Sequence, residues 1–473
     1  MAQSAQAPSR ATVSLVGLMA MVVGSMIGAG VFSLPQRFAS STGIAGALAT
    51  WAVAGAGTLA IALVFQRLST RRPDLDAGIY TYARTGFGEY VGFLSAAGYW
   101  ASSCIGNVTY WVLIMSTLGQ WIPALGAGDT PLAIACSSVG LWLFFLLVRA
   151  GATQAAAVNR IVTVAKIIPI VVFLAVAAAA LDPAVLAENW RSGPEAGTFF
   201  EQLRGTMLLT VFVFLGIEGA SVFSRHARRR SDVGRATVLG FLTVLSLFAA
   251  VTVVSYGVLP REEIARLQEP SIAGVMEAVV GPWGAVFIAA GLIIAVLGAY
   301  LSWTLMAAEV MFAAANDGVM PRVLGRENRR GAPGNALLMS TLLAQVVLIL
   351  TVFAEDAFAF ALDMTAVMAL FPFLLTALFL LRISGVRPRA AHRGDAAIAL
   401  AASAYAMLLL ASAGVELALL ASLFAAPMTL LYVWTRRQRG RRPFRTGEVA
   451  LFAGIALTAV VVVWALATGR LAI

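Results

Sequence analysis

The chain has 473 residues, 60% of them hydrophobic and only 12% charged, with a mean hydropathy of +0.87. That composition excludes a water-soluble globular domain, because stretches of about 20 apolar residues, each long enough to cross a bilayer as a helix, recur along nearly the whole length. The net charge of +10 would suggest nucleic acid on a soluble protein, but the placement of the arginines gives it another meaning.

Residues 1–12 form a short polar tail. The first apolar stretch is too long for a cleaved signal and lacks a clear small-residue cleavage site, so it is expected to be retained. Thirteen spans are predicted, at about 13–34, 43–66, 86–120, 131–148, 158–181, 202–224, 236–258, 281–315, 335–354, 358–381, 395–412, 415–434 and 448–468. With the N-terminus in the cytoplasm, 26 arginines fall on inner loops and 6 on outer ones. Such a bias sets orientation, so the basic charge is a topology signal and needs no nucleic-acid partner. The arginine runs in 225–235 and 435–447 read as inner loops near anionic lipid. The longest outer loops, about 182–201 and 259–280, are amphipathic mixtures suited to short surface helices. The short turn expected between spans eleven and twelve falls at Ala413 and Gly414.

The first span contains Gly24-Ser25-Met26-Ile27-Gly28-Ala29-Gly30. Each helix-interior glycine costs about 1 kcal/mol relative to alanine, and an opened backbone inside a bilayer has no water to pair with. Helix breakers at that depth point to a bound solute, with Gly28, Ala29 and Gly30 offering backbone N–H groups to an anionic group. The competing reading is close packing of helices on small residues. In the third span Ser103 and Asn107 lie four residues apart, hence on one face. The fifth span holds Lys166, the only lysine in the chain; it is either a compact, tunable ammonium with a task or a side chain snorkelling to the inner interface. The sixth span is interrupted at Gly216-Ile217-Glu218-Gly219. A carboxylate there costs roughly 3 kcal/mol on insertion scales and marks a functional candidate, suited to proton exchange or to sensing a cationic substrate; alternatively Glu218 accepts hydrogen bonds from N–H groups freed by the break. Glu309 and Asp363, in spans eight and ten, are second-tier carboxylates that could pair with Lys166, a substrate cation or an inner-loop arginine. Cys104 and Cys136 lie in apolar stretches, and His226 and His392 in arginine-rich loops. No disulfide framework, metal site or cofactor is expected from them.

Residues 24–35 read GSMIGAGVFSLP and residues 214–222 read FLGIEGASV; CIGN follows at 104–107 and SWTLMAAEVMFAAANDGVMP at 302–321. Together these resemble the amino acid–polyamine–organocation superfamily over at least the first ten spans, and most of all its basic amino acid antiporters, the arginine–ornithine and arginine–agmatine exchangers. The resemblance implies an all-helical polytopic membrane protein of the leucine-transporter-like fold. Its halves would be a five-plus-five inverted repeat (13–181 and 202–381), with spans 1 and 6 unwound around a central site. Spans eleven and twelve (395–434), the basic cytoplasmic loop (435–447) and a last span with the C-terminus (448–473) would follow.

By the same resemblance, Ser25, Met26, Gly28, Ala29, Gly30, Ser103, Asn107, Phe212, Gly216, Ile217 and Trp303 would bind substrate. Phe212 and Trp303 match gate positions, where an aromatic face attracts a cation, and Lys166 matches a lysine that replaces a coupling cation in several sodium-independent relatives. The chain departs from the arginine–agmatine exchangers at four places. Ala29 lacks a serine hydroxyl, which leaves carboxylate recognition to backbone donors and Ser25. Ser103 replaces a cysteine, Phe212 a tryptophan, and Lys166 an apolar residue.

The expected activity is exchange of cationic amino acids or their amines by alternating access at a bacterial inner membrane; the alternative is proton-coupled symport through Lys166 and Glu218. Partners are then a small-molecule substrate, protons if transport is coupled to them, and the lipid bilayer, in a monomer or homodimer as in relatives. No metalloprotease HExxH, no GxSxG and no Cys/His cluster is present, so enzyme chemistry has no visible machinery.

Overall fold

The computed structural model describes residues 14–72, 74–75, 79–150, 165–191, 197–218, 230–329, 331–354, 356–385, 390–468 and 470. The tail 1–12 and residues 225–229 of the basic run, His226 among them, lie outside the described residues, as does the side chain of His392. Helix occupies each of the thirteen expected spans, and among the described residues there is no strand. Eight helices are individually long and apolar enough to cross a membrane. The chain is a multi-pass, all-α membrane protein.

The first span is broken. Helix α1 (Leu15–Met26) starts at Ser14, whose hydroxyl accepts from the Gly17 N–H, and ends at Ile27 in an extended conformation. A 3₁₀ turn (Gly30–Ser33) leads into α2 (Leu34–Ser41), with Pro35 in its first turn, where the missing N–H costs nothing. The two segments bend by 50°. Helix α3 (Ile44–Arg71) follows, then a short α4 (Ile79–Phe87) in what the sequence reading left as loop, then α5 (Glu89–Gly119). Nearly all of α5 is buried, which is the place in a bundle for a helix apolar on all sides. It packs on α13 (Pro282–Asn316), α14 (Gly334–Leu350) and α15 (Ala357–Gly385).

Between α5 and α13 come α6 (Pro131–Ala150), α7 (Ile167–Ala179), α8 (Pro183–Glu188), α9 (Phe199–Phe214) and α10 (Arg230–Ser255), then the short α11 (Arg261–Arg266) and α12 (Ser271–Val280). Within 259–280, α11 is a short surface helix with Glu262, Glu263 and Arg266 exposed, but α12 needs correction. Ile272, Val275 and Met276 are fully buried, and α12 is pinned to the broken first span because Ser271 accepts from the Gln36 N–H and donates to the Phe32 carbonyl. Its apolar face covers protein rather than water.

Helix α16 (Ala390–Gln438) is two helices joined at a kink where the short turn between spans eleven and twelve was expected, since Gly414 leaves helical geometry at φ 80°, ψ 167°. Arg204 caps the freed helix end by donating from Nε to the Ser412 carbonyl at 3.0 Å, a common use of a basic side chain at a helix C-terminus. The last helix, α17 (Thr446–Ala467), is apolar and largely exposed, as expected of a helix facing lipid. Interhelical hydrogen bonds fix register where apolar contact alone cannot: Thr50 to Thr206, and Trp100 Nε1 to Ser340 Oγ.

Candidate functional site

The break in the first span meets the end of the helix in the sixth span, of which residues 219–224 lie outside the described residues. Helix α9 ends at Phe214, Leu215 turns out of the helix, and Gly216 takes φ +104°, a region that side chains other than glycine rarely enter. Ser25 Oγ, at the end of α1, donates to both the Val22 and the Gly216 carbonyls at 2.9 Å. A β-carbon on Gly216 would lie 2.9 Å from Ser25 backbone and side-chain atoms. The bareness of Gly216 is therefore a condition for joining the breaks.

Beside this junction is a central cavity lined by Ser25, Met26, Gly28, Ala29, Gly30, Ser103, Phe212 and Trp303 among the predicted residues. The sequence reading missed Ser102, Gly106, Tyr110, Val213, Leu215 and Thr365. Spacing offered a signal for part of this set, because Gly106 and Tyr110 lie on the α5 face that carries Ser103 and Asn107. The space open to the centre of a water molecule is ≈ 20 Å³, room for about one water, so this form of the protein is closed tightly around its centre.

The chemistry of the lining is asymmetric. On the side of the first break, Ile27 and Phe32 N–H groups bond to backbone carbonyls, whereas those of Gly28, Ala29 and Gly30 bond to none of the described residues. Three adjacent free donors at the start of a helical segment form a site for an anionic group. Asn107 follows the lining residue Gly106 but is not itself in the lining; it donates from Nδ2 to Thr304 Oγ1 at 3.1 Å. Its Oδ1 is buried with no donor among the described residues, an acceptor held ready for a cationic or N–H group. Phe212 and Trp303 supply aromatic walls.

Four more predicted residues, Gly216, Ile217, Glu218 and Lys166, lie outside the lining. Ile217 is buried and Gly216 engages Ser25. Glu218 is buried and accepts from Tyr99 OH at 2.5 Å and from the Gly216 N–H at 3.1 Å. The self-capping of the break weighed as an alternative is thus present, and the tyrosine adds a link to α5. Lys166 is 2% exposed, which removes the snorkelling reading, and its ammonium donates to the Gly24 carbonyl. It ties the start of α7 to the last turn of α1.

The second-tier carboxylates do not join the centre. Glu309 is exposed on α13. Asp363 lines a separate cavity with Arg37, Glu201 and Arg204, where ≈ 430 Å³ is open to water centres. Helix α9 runs from that cavity to the central one, with about one turn between Leu209 and Phe212. An ion-pair cluster covers the same end of the molecule, with Arg37 bound to Glu269 at 3.2 Å and to Asp356 at 3.1 Å. Burial pushes the Glu269 carboxyl above its ordinary 4.5, against the opposing pull of Arg37. Elsewhere Tyr80 donates to Asp317 at 2.8 Å and Arg84 to the Asp317 carbonyl at 3.2 Å.

An unwound first span and the end of the helix at Phe214 meet at one cavity, and sequence comparison supplies the family. The amino acid permease profile matches residues 13–411. The chain belongs to the amino acid permease family. It is a membrane transporter rather than an enzyme, and the resemblance drawn from its glycine motifs is borne out. It is 45% identical to the arginine/ornithine antiporter of Pseudomonas aeruginosa, over 97% of this chain and 98% of that protein. It is 40% identical to the L-lysine transport protein of Corynebacterium glutamicum, over 100% and 98%. It is also 40% identical to the arginine/agmatine antiporter of Chlamydia pneumoniae, over 79% and 78%.

Proposed function

We propose that this permease exchanges cationic amino acids, such as arginine, lysine and ornithine, or their amines, by alternating access. The observation that carries the reading is the central cavity, lined by the free Gly28–Ala29–Gly30 donors and by Phe212 and Trp303, with the buried Asn107 acceptor next to the lining residue Gly106. A zwitterion with a long cationic side chain matches that polarity: its carboxylate meets the freed N–H groups, its α-amino group the carbonyls of the second break, and its side-chain cation the amide oxygen and aromatic faces. The relatives at 40–45% identity, named for arginine, ornithine, agmatine and lysine, support that substrate class.

The closed centre admits such a molecule only when the helices part. In this reading the Arg37–Glu269–Asp356 cluster opens toward the periplasm and the Tyr80–Asp317 contact toward the cytoplasm, in turn, with the N-terminus inside and 13–181 and 202–381 acting as inverted repeats. Lys166 holds α1 in place during exchange. Its buried ammonium, with the buried Glu218, also favours a second reading, in which a proton gradient drives net uptake.

The test is radiolabelled arginine uptake into proteoliposomes loaded with ornithine, compared with unloaded vesicles given a proton gradient. Uptake confined to loaded vesicles supports exchange. Uptake confined to the gradient establishes symport, and uptake in neither removes arginine as substrate.

A further inference from the structure

We propose that Tyr110 supplies the side-chain hydroxyl that binds the substrate carboxylate, and so sets the preference for an amino acid over its decarboxylated amine. The inference rests on the function proposed above and adds a residue that no sequence motif marked.

Ala29 leaves the first break without a hydroxyl of its own, and Ser25 was the nearest candidate to replace it. The structure gives Ser25 another task, since its Oγ faces the Val22 and Gly216 carbonyls. Of the other hydroxyls lining the cavity, Ser102 donates to the Thr365 carbonyl at 2.7 Å, Ser103 to the Tyr99 carbonyl at 3.0 Å, and Thr365 to the Ala361 carbonyl at 2.7 Å. Each is committed to backbone. Tyr110 differs, because its hydroxyl meets no hydrogen-bond partner among the described residues while the side chain is only 6% exposed and lines the cavity.

The phenol also stands at the right place. Its oxygen lies 3.0 Å from the position that a β-carbon on Gly28 would occupy, against the bare backbone at the start of the three free N–H groups. The ring is held edge-on to Phe212, with centroids 6.4 Å apart, and shares the α5 face that carries Ser103 and Asn107. A carboxylate resting on the Gly28–Gly30 donors is then within reach of one more donor. A neutral phenol donates to a carboxylate without bringing a charge of its own into the membrane, and hydrogen bonds to charged groups are among the stronger ones.

The test is Tyr110→Phe, which removes the donor and keeps the ring against Phe212. Inhibition constants for arginine and for agmatine, which lacks the carboxylate, are measured on purified wild-type and variant protein by displacement of radiolabelled ligand. The arginine constant is expected to rise on the order of tenfold while the agmatine constant stays within about twofold, so that the preference for the amino acid collapses. A purely structural role would weaken both ligands together, and that result, or an unchanged arginine constant, overturns the proposal. If wild-type protein ignores cations and binds a neutral amino acid, the proposed substrate class falls, and the same comparison between that amino acid and its amine still decides the role of Tyr110.

Discussion

Ser25 Oγ lies 2.9 Å from the Gly216 carbonyl, so one hydroxyl joins the ends of two broken helices that are 191 residues apart in the chain. The junction works because Gly216 has no side chain and tolerates φ +104°. Alanine there would meet Ser25 at 2.9 Å in a backbone region that costs about 1–3 kcal/mol for a non-glycine residue. Gly216→Ala is expected to abolish uptake and lower the melting temperature in detergent. Ser25→Ala, which removes a hydrogen bond worth about 1 kcal/mol, should be milder on both measures. A Gly216→Ala protein with native melting and native uptake would show that the breaks are not joined in this way.

Lys166 binds the Gly24 carbonyl directly before the first break. Lys166→Ala leaves α1 untied and removes the buried cation. Net uptake driven by a proton gradient is expected to fall further than ornithine-for-arginine exchange, measured in the same proteoliposome preparation. Equal activity of wild type and variant in both assays would make the lysine a bystander.

Trp303 and Phe212 wall the cavity on two sides. A cation over an aromatic face gains about 0.5–2 kcal/mol, so Trp303→Ala should raise the apparent KM for arginine roughly two- to thirtyfold, with a smaller effect on neutral amino acids. Saturation curves for both substrate types check this, and an unchanged arginine KM removes Trp303 from the binding site.

Glu269 provides a pH test outside the spans. Its carboxyl is raised above 4.5 by burial, which outweighs Arg37, so the folded protein holds that proton at pH values where the unfolded chain has lost it. Stability from this group is thus present below about 4.5 and declines as pH rises through the raised value. The melting temperature of wild type minus that of Glu269→Gln, which cannot titrate, is expected to increase on acidification from neutral pH. A difference that shrinks on acidification would show that Arg37 controls the group instead.

The breaks at Gly24–Gly30 and Gly216–Gly219 were legible because glycine clusters inside apolar runs have few uses. The α5 face that carries Ser103 was legible from spacing, although Asn107 on that face bonds to Thr304 outside the cavity lining. The role of α12 was not, because its apolar face reads the same whether it meets lipid, water or the back of Phe32. The carboxylates divide in the same way: Glu218 sits inside a break and was identified by it, whereas Glu309 and Asp363 sit in unbroken helices, where sequence shows depth but not direction.

Sequence alone determined the all-helical, multi-pass class, the broken first span and the family, since these follow from local composition, helix period and short motifs. Tertiary structure decided which polar groups are occupied. Ser25 and Ser102 reach the Gly216 and Thr365 carbonyls across elements, which only the packing of α1, α5, α9 and α15 shows; Ser103 and Thr365 bond carbonyls four residues back in their own helices, and the Tyr110 hydroxyl is left to the cavity. The physical reason is range. Apolar patterning acts over one helix, whereas a hydrogen bond in a protein core is settled by whichever partner another helix brings within about 3 Å.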